Sequence, residues 1–230
     1  MTEWDSEVDR ILNALPFDII EAIARQRATR DLEVAQFPMF ARQLADSRDR
    51  VSWAKARSGG IGASDAASYA KVASAPLYLR SKLFNPFGGN TYTSHGNERE
   101  PLILAHYHVE QNHTLFHSAG NPRHMATPDG IVLGGDGRFF LVQCKTSSSP
   151  IVKISPTYQR QMLWEQYVMG AQETLFVWEE HNNFEPVDME PQSMWFQRDD
   201  EKIADLIIIA NIVLAGMDGA KQFEEEMGKS

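Results

Sequence analysis

The sequence has little cysteine, no long hydrophobic run and no excess of positive charge. Its single cysteine, Cys144, cannot form a disulfide within the chain, and a zinc site built from several thiolates is excluded. Any metal ion must therefore be bound by oxygen or imidazole. No run of about eighteen apolar residues indicates a membrane span, and the acidic first residues do not resemble a secretion signal. We expect a soluble, cytoplasmic protein without a membrane partner.

The charge balance is acidic. The 230 residues include 22 Lys and Arg against 31 Asp and Glu, which gives a net charge of −9. This argues against a protein that coats nucleic acid with a uniformly basic surface, because neutralising phosphates needs clustered Lys and Arg. An enzyme that encloses DNA in a local basic channel is compatible with an acidic exterior. The length and the hydrophobic content of 43% suffice for one domain with a substantial core.

The two ends of the sequence have helical character. In residues 1–50 apolar side chains recur at spacings of three and four, which predicts an N-terminal helical extension. Residues 51–230 are then expected to form the main domain. Its last part, residues 199–227, is also helical in pattern, and the glycines within 216–219 predict an interruption.

The middle of the sequence predicts a sheet with helices around it. Two apolar runs at 131–133 and 139–145 flank a glycine-rich turn and predict a hairpin. A third strand is expected at 174–178, reached through a helix over 158–169, and another helix is expected over 98–111. This order of elements indicates an α/β (α+β) core with a central mixed sheet flanked by helices.

The hairpin carries residues suited to phosphodiester hydrolysis. Asp129 precedes the first strand, and Gln143 and Lys145 lie two residues apart on the second, so strand alternation places both side chains on one face. Mg²⁺ prefers oxygen ligands, and a nearby amine can orient or deprotonate the attacking water. The backbone carbonyl of Cys144 could be a further ligand. The alternative is a plain turn at Asp129 and a solvent-facing strand end.

The hairpin pattern resembles the signature of the PD-(D/E)XK nucleases, and other stretches resemble the phage branch of lambda exonuclease and YqaJ-type recombinases. The likeness covers residues 53–178. It is specific because the motifs occur in the family order and spacing. The matching stretches are 53–57 with the glycine-rich turn 60–65, the helical motif 95–100, Asp129 with Gln143-Cys144-Lys145, and the helix that begins near Tyr158.

The resemblance implies a role for each matching residue. Glu100 joins Asp129, Gln143 and the Cys144 carbonyl at a Mg²⁺ site, with Mn²⁺ as a substitute, and Lys145 positions or activates the water. The catalytic set is thus Asp129, Gln143, Lys145 and Glu100. The resemblance also implies a set of residues that binds a terminal 5′-phosphate, namely Arg57, Ser64, Thr127 and Gln161. A glycine-rich loop that feeds a helix N-terminus is independently a natural anion site.

The implied activity is that of an exonuclease acting on the ends of double-stranded DNA. It would digest one strand in the 5′–3′ direction, release 5′-mononucleotides and leave a 3′ single strand for an annealing partner. The resemblance also implies a homo-oligomer, a ring-shaped trimer that encircles DNA.

One position departs from the family pattern. The acidic residue expected two positions before Lys145 is Gln143, whose amide oxygen can ligate Mg²⁺ without contributing charge. Three explanations stay open: a natural variant that still cuts, a site that only binds DNA ends, and an engineered substitution. Rival functions are an end-binding module, an endonuclease of the same fold and an unrelated α/β interaction protein.

Overall fold

The computed structural model describes residues 31–84, 91–188 and 190–228, and the chain divides into two compact units, Met1–Ala41 and Arg42–Ser230. In the first unit a helix is described over residues 31–36. Most of the predicted N-terminal helical extension therefore lies outside the described residues. A 3₁₀ helix, Pro38–Arg42, leads into the second unit.

The main sheet of the second unit is mixed and has five strands. They are β4 (Gly130–Leu133), β5 (Phe139–Ser147), β6 (Glu173–Asn182), β7 (Glu185–Pro186) and β8 (Gln192–Gln197). β4 and β5 form the predicted antiparallel hairpin, and β6 runs parallel to β5 on its other side. β6 also pairs antiparallel with β7 and β8. The predicted mixed α/β core is confirmed, and β8 is a strand that the sequence analysis did not predict.

Helix α5 (Pro156–Met169) connects the parallel strands β5 and β6, as predicted. Its ends are marked by local chemistry: the Ser155 hydroxyl accepts a hydrogen bond from the Tyr158 backbone N–H, and Pro156 occupies the first turn. Gly170 ends the helix with a φ of +90°, a conformation that glycine adopts without strain. The position of α5 along the sheet is therefore well defined.

The alternation of β5 divides its side chains between two layers of helices. Val142 and Cys144 pack in a cluster with residues of helix α4 (Thr91–His106). Gln143 contacts α5 on the opposite face. Helix α4 begins and ends earlier than the predicted 98–111. It ends at His106 because His108 takes a φ of 56°, which a helix cannot include.

A smaller antiparallel sheet forms beside this core. Its strands are β1 (Gln43–Asp46), β2 (Thr114–His117) and β3 (Met125–Ala126). β1 lies in the stretch predicted to be helical, so that prediction is wrong for these residues. The helical pattern is overridden because β1 pairs with β2, about seventy positions later in the chain.

Among the described residues of the second unit, three α-helices precede α4: α1 (Arg50–Ser58), α2 (Ala63–Ala66) and α3 (Ala75–Phe84). Residues 60–62 of the glycine-rich turn lie between α1 and α2, and residues 63–65 belong to α2. Ile61 in this turn exchanges backbone hydrogen bonds with residues just before and within β3. The turn is therefore fixed to the small sheet at its centre.

The C-terminal helix α6 (Asp200–Met227) is continuous, so the predicted interruption at 216–219 is wrong. Gly216 allows close packing there, because a Cβ atom at this position would lie 2.4 Å from the Leu79 side chain of α3. Among the described residues α6 alone is long and apolar enough to cross a membrane by length and composition. Its buried face packs against α3 and α5, which is typical of a core helix.

Candidate active site

The site is built around Asp129, at the start of the β4–β5 hairpin. The register pairs Gly130 with Val142, which places Asp129 opposite Gln143. Asp129 Oδ2 accepts a hydrogen bond from the Cys144 backbone N–H at 2.7 Å and another from the Gln143 side-chain amide. The structure therefore brings together Asp129 and Gln143, two of the hairpin residues that were singled out from the sequence.

Gln143 is fully buried and connects the hairpin to helix α5. Gln161 Nε2 donates to Gln143 Oε1 at 2.8 Å and to Glu165 Oε1 at 3.1 Å. Gln161 and Glu165 lie four residues apart on the same side of α5. Both hydrogens of the Gln161 amide are thus committed within the site, and its role as a phosphate contact stays a prediction.

Glu165 is a member of the site that the sequence analysis missed. It is 1% exposed, and its Oε2 atom has no hydrogen-bond partner among the described residues. The residues around it in the chain, such as Met162 and Trp164, have the pattern of a packing helix, which concealed it. The available signal was its spacing of four residues from Gln161.

Glu100 comes from helix α4, on the other side of the sheet. Gln111 Nε2 donates to Glu100 Oε1 at 2.9 Å. Burial and the nearby charge of Asp129 raise the pKa of Glu100 to about 7, although Gln111 and Lys145 oppose the shift. Glu100 therefore shares the electrostatic environment of Asp129, as expected if both bind one cation.

Acidic groups outnumber basic ones in this buried space. Burial raises the pKa of Asp129, and burial together with the charge of Asp129 raises the pKa of Glu165 to about 8. The amine of Lys145 opposes all three carboxyl shifts, and its Nζ lies 5.6 Å from the centre of the Tyr158 ring. When its three carboxyl groups are ionised, the single amine does not neutralise them, so a bound cation would stabilise the site.

The donors present fit a hard divalent cation, which prefers oxygen ligands. The buried Glu165 Oε2 without a partner supports this assignment. Among the described residues no group of three His, Cys, Asp or Glu side chains is already arranged to hold an ion. The site therefore needs the Gln143 amide, a backbone carbonyl or a side-chain movement to complete it. The Cys144 thiol is not a candidate ligand, because its side chain packs in the hydrophobic cluster on the α4 face.

Arg57 and Ser64 form a second cluster at the glycine-rich turn. Arg57 Nη2 donates to Ser64 Oγ, and the guanidinium carbon lies 5.1 Å from the centre of the Trp53 ring. Helix α2 begins after Gly62, so Ser64 and Asp65 lie inside it. Asp65 Oδ2 accepts from the Gly62 backbone N–H at 2.8 Å, which supports the helix start from within.

Lys82 joins this second cluster and was not singled out from the sequence. Its Nζ lies 2.7 Å from Asp65 Oδ2, while Arg57 Nη2 lies 3.7 Å from the same atom. Lys82 is in α3, so only the folded chain brings it to the turn. Two cations therefore face one carboxylate, which leaves net positive charge for an anion.

The backbone links the two clusters. Ile61 pairs with His124, immediately before β3, and Thr127 immediately follows that strand. The Thr127 hydroxyl is buried without a hydrogen-bond partner among the described residues. Helix α2, which holds Ser64, packs against α5, which holds Gln161. The predicted phosphate residues thus lie on adjoining elements, although their joint contact with a phosphate stays a prediction.

A mixed sheet between helices, with Asp129 at the start of one hairpin strand and Lys145 on the other, agrees with the PD-(D/E)XK fold, and Gln143 is the position that departs from its motif. The model of the YqaJ-like viral recombinase domain family matches residues 52–181, more than half of the chain, and the chain belongs to this family. The predicted resemblance is confirmed. Membership of this family supports a nuclease role.

Solved structures share the fold. The alkaline exonuclease from Laribacter hongkongensis is 22% identical with a TM-score of 0.60, and its complex with dAMP is 23% identical with a TM-score of 0.59; each match covers 77% of this chain and 97% of that one. A phage-related exonuclease from Haemophilus somnus is 17% identical with a TM-score of 0.50, covering 68% of this chain and 83% of its own. A comparison with curated proteins gives no match.

Proposed function

We propose that this protein is a Mg²⁺-dependent 5′–3′ exonuclease that digests one strand of linear double-stranded DNA. The observation that carries the proposal is the contact of Asp129 with Gln143 and the Cys144 backbone, in a space shared with Glu100 and Lys145. These residues occur in the fold of a recombinase family whose solved neighbours include exonucleases.

Asp129 and Glu100 would hold the metal ion, together with the Gln143 amide oxygen and the Cys144 carbonyl. When bound, Mg²⁺ supplies positive charge that stabilises the transition state and makes water a better nucleophile. Gln143 presents its amide nitrogen to Asp129 in this structure, so its side chain must turn over to offer oxygen. The Lys145 amine would donate a hydrogen bond that positions the attacking water.

Arg57, Ser64, Thr127 and Gln161 would bind the terminal 5′-phosphate. Arg57 can donate two parallel hydrogen bonds to a phosphate, which fixes both its distance and its orientation. Holding the end at a set distance from Asp129 would select the first phosphodiester bond for cleavage. The dAMP complex of the similar Laribacter enzyme supports a mononucleotide as the product class.

The remaining 3′ single strand would be the substrate for an annealing protein, and a homo-oligomeric ring, a trimer by resemblance, would keep the enzyme on its DNA. An acidic exterior around an inner basic surface agrees with the net charge of −9.

A duplex labelled at one end tests the direction of digestion. With Mg²⁺, a 5′ label is expected to leave first as a mononucleotide, while a 3′ label stays on a long single strand. Early release of the 3′ label would contradict the proposed polarity.

A DNA-end-binding module is the second candidate, and the absence of charge at Gln143 favours it. If the protein only binds DNA ends, it should bind duplex ends tightly and release neither label. Gln143→Glu in the same assay separates the two functions, because cleavage by that variant alone would mean that the native chain binds ends without cutting them.

A further inference from the structure

Glu165 is a buried carboxyl group without an assigned role. One of its oxygens accepts from Gln161, and the other has no hydrogen-bond partner among the described residues. A buried carboxylate oxygen without a partner is costly, because it gives up its hydration without replacement. Such an atom calls for a ligand or a proton.

The environment of Glu165 connects it to the proposed metal site. Its partner Gln161 also donates to Gln143, which donates to Asp129. A chain of three hydrogen bonds therefore runs from Glu165 to the central carboxylate. The charges of Asp129, Lys145 and Glu100 all act on Glu165.

Gln143 has no negative charge, although the family pattern has an acidic residue at this position. Asp129 and Glu100 are the two carboxylates of the proposed set, and Gln143 contributes an amide in place of a third. Glu165 reaches the same buried space from helix α5, beside Gln143. Glu165 can therefore supply the negative charge that Gln143 lacks.

We propose that Glu165 provides the third carboxylate of a divalent cation site, in place of the charge that Gln143 lacks. This inference rests on the proposed nuclease function. Gln161 orients Glu165 by holding Oε1, which leaves Oε2 as the free ligand atom. Among the described residues the carboxylates are not gathered around one point, so the Glu165 side chain would have to move toward Asp129 to bind the same cation.

The competing interpretation is a neutral acid with a purely structural role. A protonated Glu165 has nearly the shape of glutamine, so Glu165→Gln should preserve the fold under either interpretation. If Glu165 is a neutral structural acid, the substitution removes no charge and leaves cation binding unchanged, whereas a ligand role makes it weaken cation binding. Thermal denaturation of each variant in EDTA establishes that the fold is intact.

The experiment measures Mn²⁺ affinity without DNA, by electron paramagnetic resonance of the free ion. We compare the native chain, Glu165→Gln, Gln143→Glu and the double variant Gln143→Glu/Glu165→Gln, which moves the carboxylate from the helix to the strand. Glu201→Gln, on the exposed surface of α6, is the control for loss of one negative charge.

We expect Glu165→Gln to weaken Mn²⁺ binding about tenfold or more, the double variant to regain most of it and the control to match the native chain. Equal affinity of Glu165→Gln and the native chain, or no Mn²⁺ binding by any variant, would overturn the inference. Cleavage is scored separately: if Mn²⁺ affinity follows the carboxylate but no variant cuts DNA, the cation site stands and the nuclease proposal fails.

Discussion

At the residue scale, Arg57 is oriented before any ligand arrives. Its guanidinium contacts the Trp53 ring, Ser64 Oγ and the Asp65 carboxylate. Packing against an aromatic ring reduces the rotamer freedom that a long side chain would otherwise lose on binding. A phosphate at this turn would meet a donor that is already in place.

Arg57→Ala should remove the preference for 5′-phosphorylated over 5′-hydroxyl ends. A charge-assisted hydrogen bond contributes about 1.5–3 kcal/mol, so the preference should fall by roughly tenfold to a hundredfold. The measurement is the ratio of initial digestion rates on the two kinds of end.

Arg138→Ala is the matched control, since Arg138 is a highly exposed arginine in the β4–β5 turn, paired with Asp136. The control should keep the native ratio. If Arg57→Ala keeps it as well, Arg57 does not bind the terminal phosphate.

Site residues could be predicted from the sequence where two side chains of suitable chemistry are placed together by local strand pairing. Asp129 and Gln143 are such a pair, because the hairpin brings them together through local pairing. Glu165 and Lys82 were missed for different reasons. Glu165 lies among apolar helix residues, and Lys82 reaches the turn only when α3 packs in the folded chain.

At the element scale, the contact between α3 and α6 depends on the absence of a side chain at Gly216. A Cβ atom there would lie 2.4 Å from Leu79, whereas one at Gly219 would meet nothing within 4 Å. The two glycines of one helix therefore have opposite expected responses to the same substitution.

Gly216→Ala should destabilise the protein by about 1–3 kcal/mol through overpacking. Gly219→Ala should stabilise it by about 0.5–1 kcal/mol, because alanine favours the helix and glycine does not. Urea denaturation of the two variants measures both changes. Equal effects of the two substitutions would contradict the assigned packing of α3 on α6.

The elements that were predicted correctly have strong local signals. The β4–β5 hairpin has a glycine-rich turn between apolar runs, and α5 has a proline at its start and a glycine at its end. β1 and β8 carry no such signals and form through partners distant in sequence. The packing role of Gly216 in α6 could not be predicted from the sequence, because it depends on α3.

At the scale of the whole molecule, stability should depend on pH through the buried carboxyl groups. Glu100 and Glu165 have pKa values raised to about 7 and about 8, mainly by burial. A raised pKa means that the folded state prefers the protonated acid, so this stabilisation is complete below the ordinary value near 4.5 and is lost as the pH rises through 7 and 8.

Thermal denaturation in EDTA should therefore give a Tm that falls between about pH 6.5 and 8.5, with a shallower fall for Glu165→Gln. Burial lowers the pKa of His124 to about 4, so its opposite contribution is already complete in this window. Excess Mg²⁺ should restore Tm at the upper end, because an ion that binds only the folded state stabilises it. A Tm that is constant over this range would contradict the burial of Glu100 and Glu165 as the cause of their raised pKa values.

The whole molecule is proposed to act on DNA ends, and the most direct test compares linear with closed circular duplex DNA. Both are incubated with the native chain and with Lys145→Ala, in Mg²⁺ and in EDTA. The account predicts loss of 5′-phosphorylated linear DNA only, only with Mg²⁺, and a fall of about a hundredfold or more for Lys145→Ala with binding of DNA preserved. Cutting of the closed circle, or unchanged cleavage by Lys145→Ala, would contradict it.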